Sequence, residues 1–350
     1  PRIAIINAKE SGSNYVNEWK SHLRGDFNVV REFNAWEAGF ADRIRLLGDA
    51  KTVVSEWEGQ IEQTIDALNA RWETRLEDSA TAMTEVFKSL LSFRSKVKYG
   101  GKVSKAAAGK EASDKVTEHV RKLEIEFRKK IRSLFLISDD HWEMDPLLEK
   151  DIFCEEVWKL FGLSKKKLYA AAIVSGALGG TWVDVATGGG THGWGALIGG
   201  AIGGAGVGFG AEHAVRLKTP EWNLLGRLKF GGKPVGGTQI EASIAPANQA
   251  PSILFDRMLL YIEAASSWAH GRRSEKSEST AANQPAGRID AMEKEDRSKF
   301  ITYISLLDRQ ANGKRVPAPG LEKAEGNLNA MIVDHLKQLT MKRASRKNLE

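Results

Sequence analysis

The sequence holds a single cysteine, Cys154, among its 350 residues. That excludes an internal disulfide and a cysteine-rich zinc site, and it agrees with a reducing, cytoplasm-facing location. An excess of one charge sign is also missing. Lys and Arg number 51 against 45 Asp and Glu, a formal net charge of +6. The two signs interleave through most of the chain, so the composition gives no reason to expect nucleic acid as a partner. The densest basic stretch lies near the C-terminus, where Lys342, Arg343, Arg346 and Lys347 follow Lys337. Catalytic signatures are lacking too. Gly226–Pro234 is one residue off the G-x-x-x-x-G-K-[ST] spacing and has proline where a hydroxyl must bind magnesium. The lysine–glycine run at 101–110 fails on spacing as well. No G-x-S-x-G elbow, H-E-x-x-H pair or cysteine–histidine pairing is present. By itself this chain is not expected to hydrolyse nucleotide or to hold a cofactor.

What is present describes an ordinary folded protein, with 42% hydrophobic and 27% charged residues and length enough for two or more cores. Its most informative stretch is Leu168–Ala211, two apolar runs around a glycine-rich break with Asp184 as the only formal charge. Nine of the nineteen residues from Gly193 to Ala211 are glycine. Glycine costs a helix about 1 kcal/mol relative to alanine, so the run needs close packing or a bilayer to be helical. On a helix Gly195, Gly199, Gly203, Gly206 and Gly210 fall within an arc of roughly 80°. Gly176 and Gly180 repeat the small-residue spacing in the first run. This pattern predicts a self-packing, glycine-zippered helical hairpin. A bilayer span takes about 20 apolar residues, which the second run nearly supplies and the sixteen of Leu168–Val183 do not. Lys165, Lys166 and Lys167 precede the hairpin, and Arg216 and Lys218 follow it, as a hairpin entered from the cytoplasm would require. Insertion in lipid and burial in a soluble helical core both remain open on these residues.

Around the hairpin the chain reads as mainly α. Residues 1–35 form a β-α-β tail, with strands at Arg2–Asn7 and Phe27–Phe33, like the closing part of a parallel sheet. Residues 36–164 carry long amphipathic helices, bundle or coiled coil. One runs from Trp36 to Lys98 with a break near Gly48 or Gly59, another from Ser113 to Leu136, and a third from Pro146 to Phe161. The hairpin occupies 165–218. Residues 219–270 mix irregular chain with a short strand at Gln239–Ile244 and a helix at Ser252–Ala269. Residues 271–287 are a polar linker. Residues 288–350 hold two helices, Arg288–Arg309 and Leu321–Arg343, parted by the VPAPG of 316–320. An opening at Pro1 without methionine or signal-peptide pattern is what a fragment of a longer protein would have.

Few side chains suggest a site. Asp139, Asp140, His141, Glu143 and Asp145 bring carboxylates and imidazole close together, as a hard cation or zinc needs, although helix-capping loops look the same. Asp184 and His192 flank the glycine turn, where an ionisable group beside an apolar span is a functional candidate. Solvated turn residues would look alike.

The order of these elements resembles the C-terminal part of bacterial proteins in which an Era/TrmE-type GTP-binding domain precedes an uncharacterised helical domain. The resemblance rests on PRIAIIN at 1–7, NVVREFNA at 28–35 and the block from Asp151 to Gly210. That block runs D-x-F, LFGLSKKK, GALGGTWVD and GGGTHGWGALIGGAIGG. It implies that the first strand ends at the place of the N-K-x-D guanine-recognition motif. Here Asn7-Ala8-Lys9-Glu10 keeps the asparagine and an acid but lacks the lysine. Asn7 and Glu10 are the implied remnant of base recognition, while GTP and magnesium would belong to the parent protein. The resemblance implies the upstream GTP-binding domain as a partner, the hairpin and its basic flanks add the cytoplasmic membrane surface or bilayer, and a second copy of the chain is a further candidate. The expected function is a noncatalytic effector region that couples nucleotide state to the hairpin. A soluble interaction scaffold with the hairpin as buried core, and a pore-forming hairpin protein, are the alternatives.

Overall fold

A computed structural model describes residues 3–7, 14–23, 29–33, 39–137, 146–154, 157, 215–218, 239–244, 250–266, 289 and 292–346. Glu10, Asp139–Asp145, the glycine block Leu168–Ala211 with Asp184 and His192, and the polar stretch 271–287 lie outside the described residues. The protein is mostly helical, as its periodicity predicts.

At the N-terminal end β1 (Ile3–Asn7) and β2 (Val29–Phe33) pair in parallel, with Ile3 opposite Val29 and Asn7 opposite Phe33. Helix α1 (Asn14–Leu23) makes the crossover that a parallel pair requires. The helical body starts with α2 (Phe40–Val53). Its N-terminus is closed by Asp42, whose carboxylate accepts a hydrogen bond from the Gly39 amide at 3.0 Å. The expected helix break falls at neither glycine. Gly48 lies inside α2, and Gly59 sits in the first turn of α3 (Glu58–Ser92). The chain turns instead at Val54 (φ −114°, ψ 81°), followed by a single 3₁₀ turn at Ser55–Trp57. One glycine costs a helix too little to end it. Trp57, placed on the apolar face by its spacing, is 61% exposed at this corner.

Helix α3 ends at Ser92, and the residues after it form β3 (Ser95–Lys98) rather than further helix. Helix α4 (Lys105–Phe135) starts two turns earlier than its apolar periodicity suggests, because the Ser104 hydroxyl accepts from the Ala107 amide at 3.1 Å and caps it. Further on come the one-turn α5 (Pro146–Glu149), β4 (Val215–Lys218), β5 (Gln239–Ile244), α6 (Ala250–Ser266), α7 (Lys294–Ala311) and α8 (Ala318–Arg346). Pro319 and Gly320 fall within the first turn of α8, where proline is tolerated, so the break lies earlier, at Asn312–Pro317. Gly313 makes that turn at φ +72°.

Helices α3, α4, α6, α7 and α8 enclose one core. Helix α3 gives it Leu76, Met83, Phe87 and Leu90, and α4 gives Val116, Val120, Phe127 and Ile131. Three rings tie α3, α6 and α7 together. Phe300 meets Phe87 edge-on at 5.5 Å and Phe255 at 4.8 Å. An antiparallel sheet in the order β3-β5-β4 lies against α4, with Val97, Ile240, Ala242 and Ile244 buried beneath it. Among the described residues no helix is long and apolar enough to cross a membrane.

Helix α4 ends on Leu136, which adopts the left-handed region at φ 56° while the Ile137 amide reaches back to the Arg132 carbonyl at 2.9 Å. A Cβ in that region costs about 1–2 kcal/mol, and Leu136 is 62% exposed, so little packing offsets the strain. Leu136→Gly is therefore expected to stabilise the protein by roughly 0.5–1 kcal/mol. A urea midpoint that falls in the variant would contradict this account of the helix end.

Candidate functional site: a buried arginine junction at the flank of the glycine block

Helix α6 is nearly all apolar, ILFDRMLLYI over residues 253–262, apart from the adjacent Asp256 and Arg257. Both are buried, Arg257 completely. Burial of an arginine is tolerated only if every donor finds an acceptor. Arg257 Nε donates to Glu124 Oε1 of α4 at 2.7 Å, and Nη2 donates to the carbonyls of Leu148 and Lys150 at 3.1 and 2.9 Å. Arg128, one turn along α4 from Glu124, donates to the same carboxylate oxygen at 2.7 Å and also to the Leu148 carbonyl. Glu124 thus carries the negative charge between two guanidinium groups. Tyr261 completes the contact, with its ring 5.6 Å from the Arg128 guanidinium and its hydroxyl donating to the Arg128 carbonyl at 3.3 Å.

The carbonyls so held belong to α5 and the turn after it, which precede the glycine block in the sequence. The sequence suggests a helix through Phe161. Within that span the described chain leaves helical geometry at Lys150–Cys154 and is helical again at Val157. There Asp151 Oδ1 accepts from the Phe153 amide at 2.7 Å, the local turn that aspartate offers in place of helix. Arg121 of α4 pairs with Asp151 and lies 5.4 Å over the Phe153 ring. Burial works to raise the Asp151 pKa. The hydrogen bonds from Arg121 and the Phe153 amide, with the charges of Arg121 and Arg257, outweigh it and hold the carboxyl below its ordinary value. Leu148, Ile152, Phe153 and Val157 are all buried. Beside Arg257, Asp256 Oδ1 accepts from the Ile289 amide at 2.9 Å, so α6 also fastens the chain that returns after the polar stretch.

The far flank of the block is held as well. Val215, the first residue of β4, pairs with Ile244 of β5, and Lys218 pairs with Glu241. Since β5 is the central strand and packs on α4, the residues on both sides of 158–214 are fixed to the same helix.

Of the sequence-derived site residues, Asn7 is the last residue of β1. Glu10, the seven glycines from Gly176 to Gly210, Asp184, His192 and the acidic stretch Asp139–Asp145 lie outside the described residues, as does Gly226–Pro234. At the start of the 101–110 run, Gly101 and the preceding Gly100 turn with φ of +63° and +124°, and Gly100 bridges to Val103, a tight hairpin rather than a phosphate cradle. Among the described residues no three His, Cys, Asp or Glu are placed to hold a metal ion. An open groove of about 620 Å³ between α3, α7 and α8 is lined in part by Glu85, Lys88, Ser89 and Leu307. Lys88 is occupied there by Glu325 at 2.6 Å. Near it His119 stacks on Phe93 at 4.0 Å and meets Ser89 Oγ at 3.3 Å. Burial lowers the His119 pKa, only partly offset by a backbone hydrogen bond and Glu126. This is an aromatic-packed, half-buried histidine.

A family model described as a domain of unknown function, DUF3482, matches residues 21–325. The chain belongs to this family. The DUF3482 match starts inside α1 and ends inside α8, so the arginine junction, the glycine block and the three-stranded sheet all fall within it. No curated protein and no solved structure matches the chain.

The junction residues Glu124, Arg128 and Arg257 escaped the sequence reading, although one signal for them existed. An Asp-Arg pair inside an otherwise apolar helix predicts buried partners, since neither side chain is buried without compensation.

Proposed function

We propose that this DUF3482 domain is a noncatalytic helical platform that holds its glycine-rich block for membrane association. In this reading it is the effector region of a bacterial GTP-binding protein, working at the cytoplasmic face of the inner membrane. One observation carries the platform half. Chain before and after the block is fastened to the helical body, by Arg257 of α6 and Arg128 of α4 at Leu148–Lys150 and by β5, which packs on α4, at Val215–Lys218. An apolar segment held at both roots is presented as a unit, and its exposure then depends on the packing of the body. The nucleotide half rests on the sequence resemblance together with the parallel β1-α1-β2 unit, which is connected to the body through α2. A lone parallel pair is marginal in water, so a larger sheet contributed by a GTP-binding domain is a natural partner for it.

Flotation with phosphatidylcholine vesicles tests the membrane half. The chain should float, and Ile198→Asp with Ile202→Asp should lower its partitioning by roughly 100-fold or more, because charge within an apolar span is costly. A monodisperse chain that stays with the buffer fraction would sink this half and leave the block as the core of a soluble scaffold. Dye release by the chain alone would favour the pore-forming alternative. For the nucleotide half, the chain joined to its GTP-binding domain should float differently with a GTP analogue than with GDP. Equal flotation would remove the coupling.

A further inference from the structure

The basic excess of this protein is not spread evenly over its surface. From Phe93 to Lys110 the sequence has six basic residues and no acidic one. This stretch forms β3, the tight Gly100–Val103 hairpin and the start of α4. The pleat turns Ser95 and Val97 inward and Lys96 and Lys98 outward, and Lys102 is exposed at the hairpin tip beside Val103. Pairing with β5 sets Lys96 opposite Glu241 and Lys98 opposite Gln239. On the other side of β5, the register puts Lys218 opposite Glu241 and Arg216 opposite Ser243. Glu241 is therefore the lone acid among the strand positions of this sheet, which carry four bases. It is already shared by Lys96 at 3.7 Å and Arg94 at 3.8 Å. Among the described residues neither Lys98 nor Lys102 has an acidic partner.

We propose that the solvent face of β3-β5-β4, with the Gly100–Val103 hairpin, is a docking surface for a bilayer rich in anionic phospholipid. Charge complementarity selects the partner, since clustered lysines beside an apolar segment are the pattern that anionic headgroups attract. Continuity selects the bilayer over other polyanions. Strand β4 begins only a few residues after the glycine block ends at Ala211, so the basic face lies at the root of the apolar segment. Val103, 42% exposed between Lys102 and the start of α4, adds an apolar contact at the tip of the hairpin. The inference rests on the membrane reading above but concerns a separate surface with a separate chemistry.

The test is co-sedimentation of the full chain with vesicles of phosphatidylcholine alone and of phosphatidylcholine mixed with phosphatidylglycerol. The wild type should prefer the anionic vesicles, and added salt should erode that preference. Each lysine near an anionic surface contributes roughly fivefold, so Lys96→Gln, Lys98→Gln and Lys102→Gln together should weaken anionic binding by about 100-fold. Binding to phosphatidylcholine alone should not change, and an unaltered thermal melt should show that the variant folds. Wild-type binding that ignores phosphatidylglycerol, or a triple variant that keeps the preference, overturns the proposal and leaves the role of the block intact. Lysine-dependent anionic binding that survives Ile198→Asp with Ile202→Asp supports this surface while removing the block from the membrane. Lysine-dependent binding to single-stranded RNA without any binding to anionic vesicles would assign the face to nucleic acid and overturn the lipid proposal.

Discussion

Arg257→Ala is expected to lower the stability of the protein by about 3–5 kcal/mol, the range seen when one member of a buried ion pair is removed. The substitution takes away donors to three acceptors at once, Glu124 Oε1 and the carbonyls of Leu148 and Lys150. Arg128 still covers Glu124 and the Leu148 carbonyl, while the Lys150 carbonyl loses the Nη2 donor. Arg257→Met separates the components. It restores most of the volume and none of the donors, so it should recover the packing loss alone and remain well below the wild type. Urea unfolding measures the total. Amide exchange gives the local part, with protection at Ile152 and Phe153 falling more than protection in the middle of α3. An Arg257→Ala protein within about 1 kcal/mol of wild type, no more than one ordinary hydrogen bond, would show that the junction does not fasten this segment.

Phe300→Ala should cost a similar amount, about 3–5 kcal/mol, for a different reason. Phe300 is fully buried where α3, α6 and α7 meet, in ring contact with Phe87 and Phe255. Truncation forfeits the transfer energy of the ring and leaves a cavity that three helices cannot all close upon. Phe300→Leu keeps most of the volume and should cost less than half as much. Equilibrium denaturation of the two variants checks the ratio. Domains are stable by only about 5–15 kcal/mol, so a loss of this size is a large fraction of the total. Equal losses for leucine and alanine would mean that ring contacts, rather than volume, dominate at this position.

These two positions also separate what could be read in the sequence from what could not. Phe300 lies on an apolar stripe at helical spacing, and the stripes of α3, α4, α6 and α7 do form the core. Such periodicity is a local property, because each helix needs only its own neighbours to set which face is apolar. Arg257 lies on the same kind of stripe, and its burial depends on Glu124 and on two carbonyls far away in the chain. Local pattern carries no information about such partners.

The same division runs through the rest of the molecule. Sequence alone determined the mainly helical class, the β-α-β order at the N-terminus, the helix around Ile253–Ile262 and the strand at Gln239–Ile244, since each depends on residues close together. Only the tertiary structure decided that Ser95–Lys98 is a strand, since its ladder partner is β5. It also decided that the helix turns at Val54 rather than at a glycine, where a penalty of about 1 kcal/mol is easily met by packing. Above all, it brought basic residues from two separate stretches of the chain, 96–98 and 216–218, into one sheet. Strand pairing sets Lys96 of β3 and Lys218 of β4, far apart in the chain, opposite the same Glu241, because hydrogen-bonded register, not distance along the chain, fixes which residues are neighbours across a sheet.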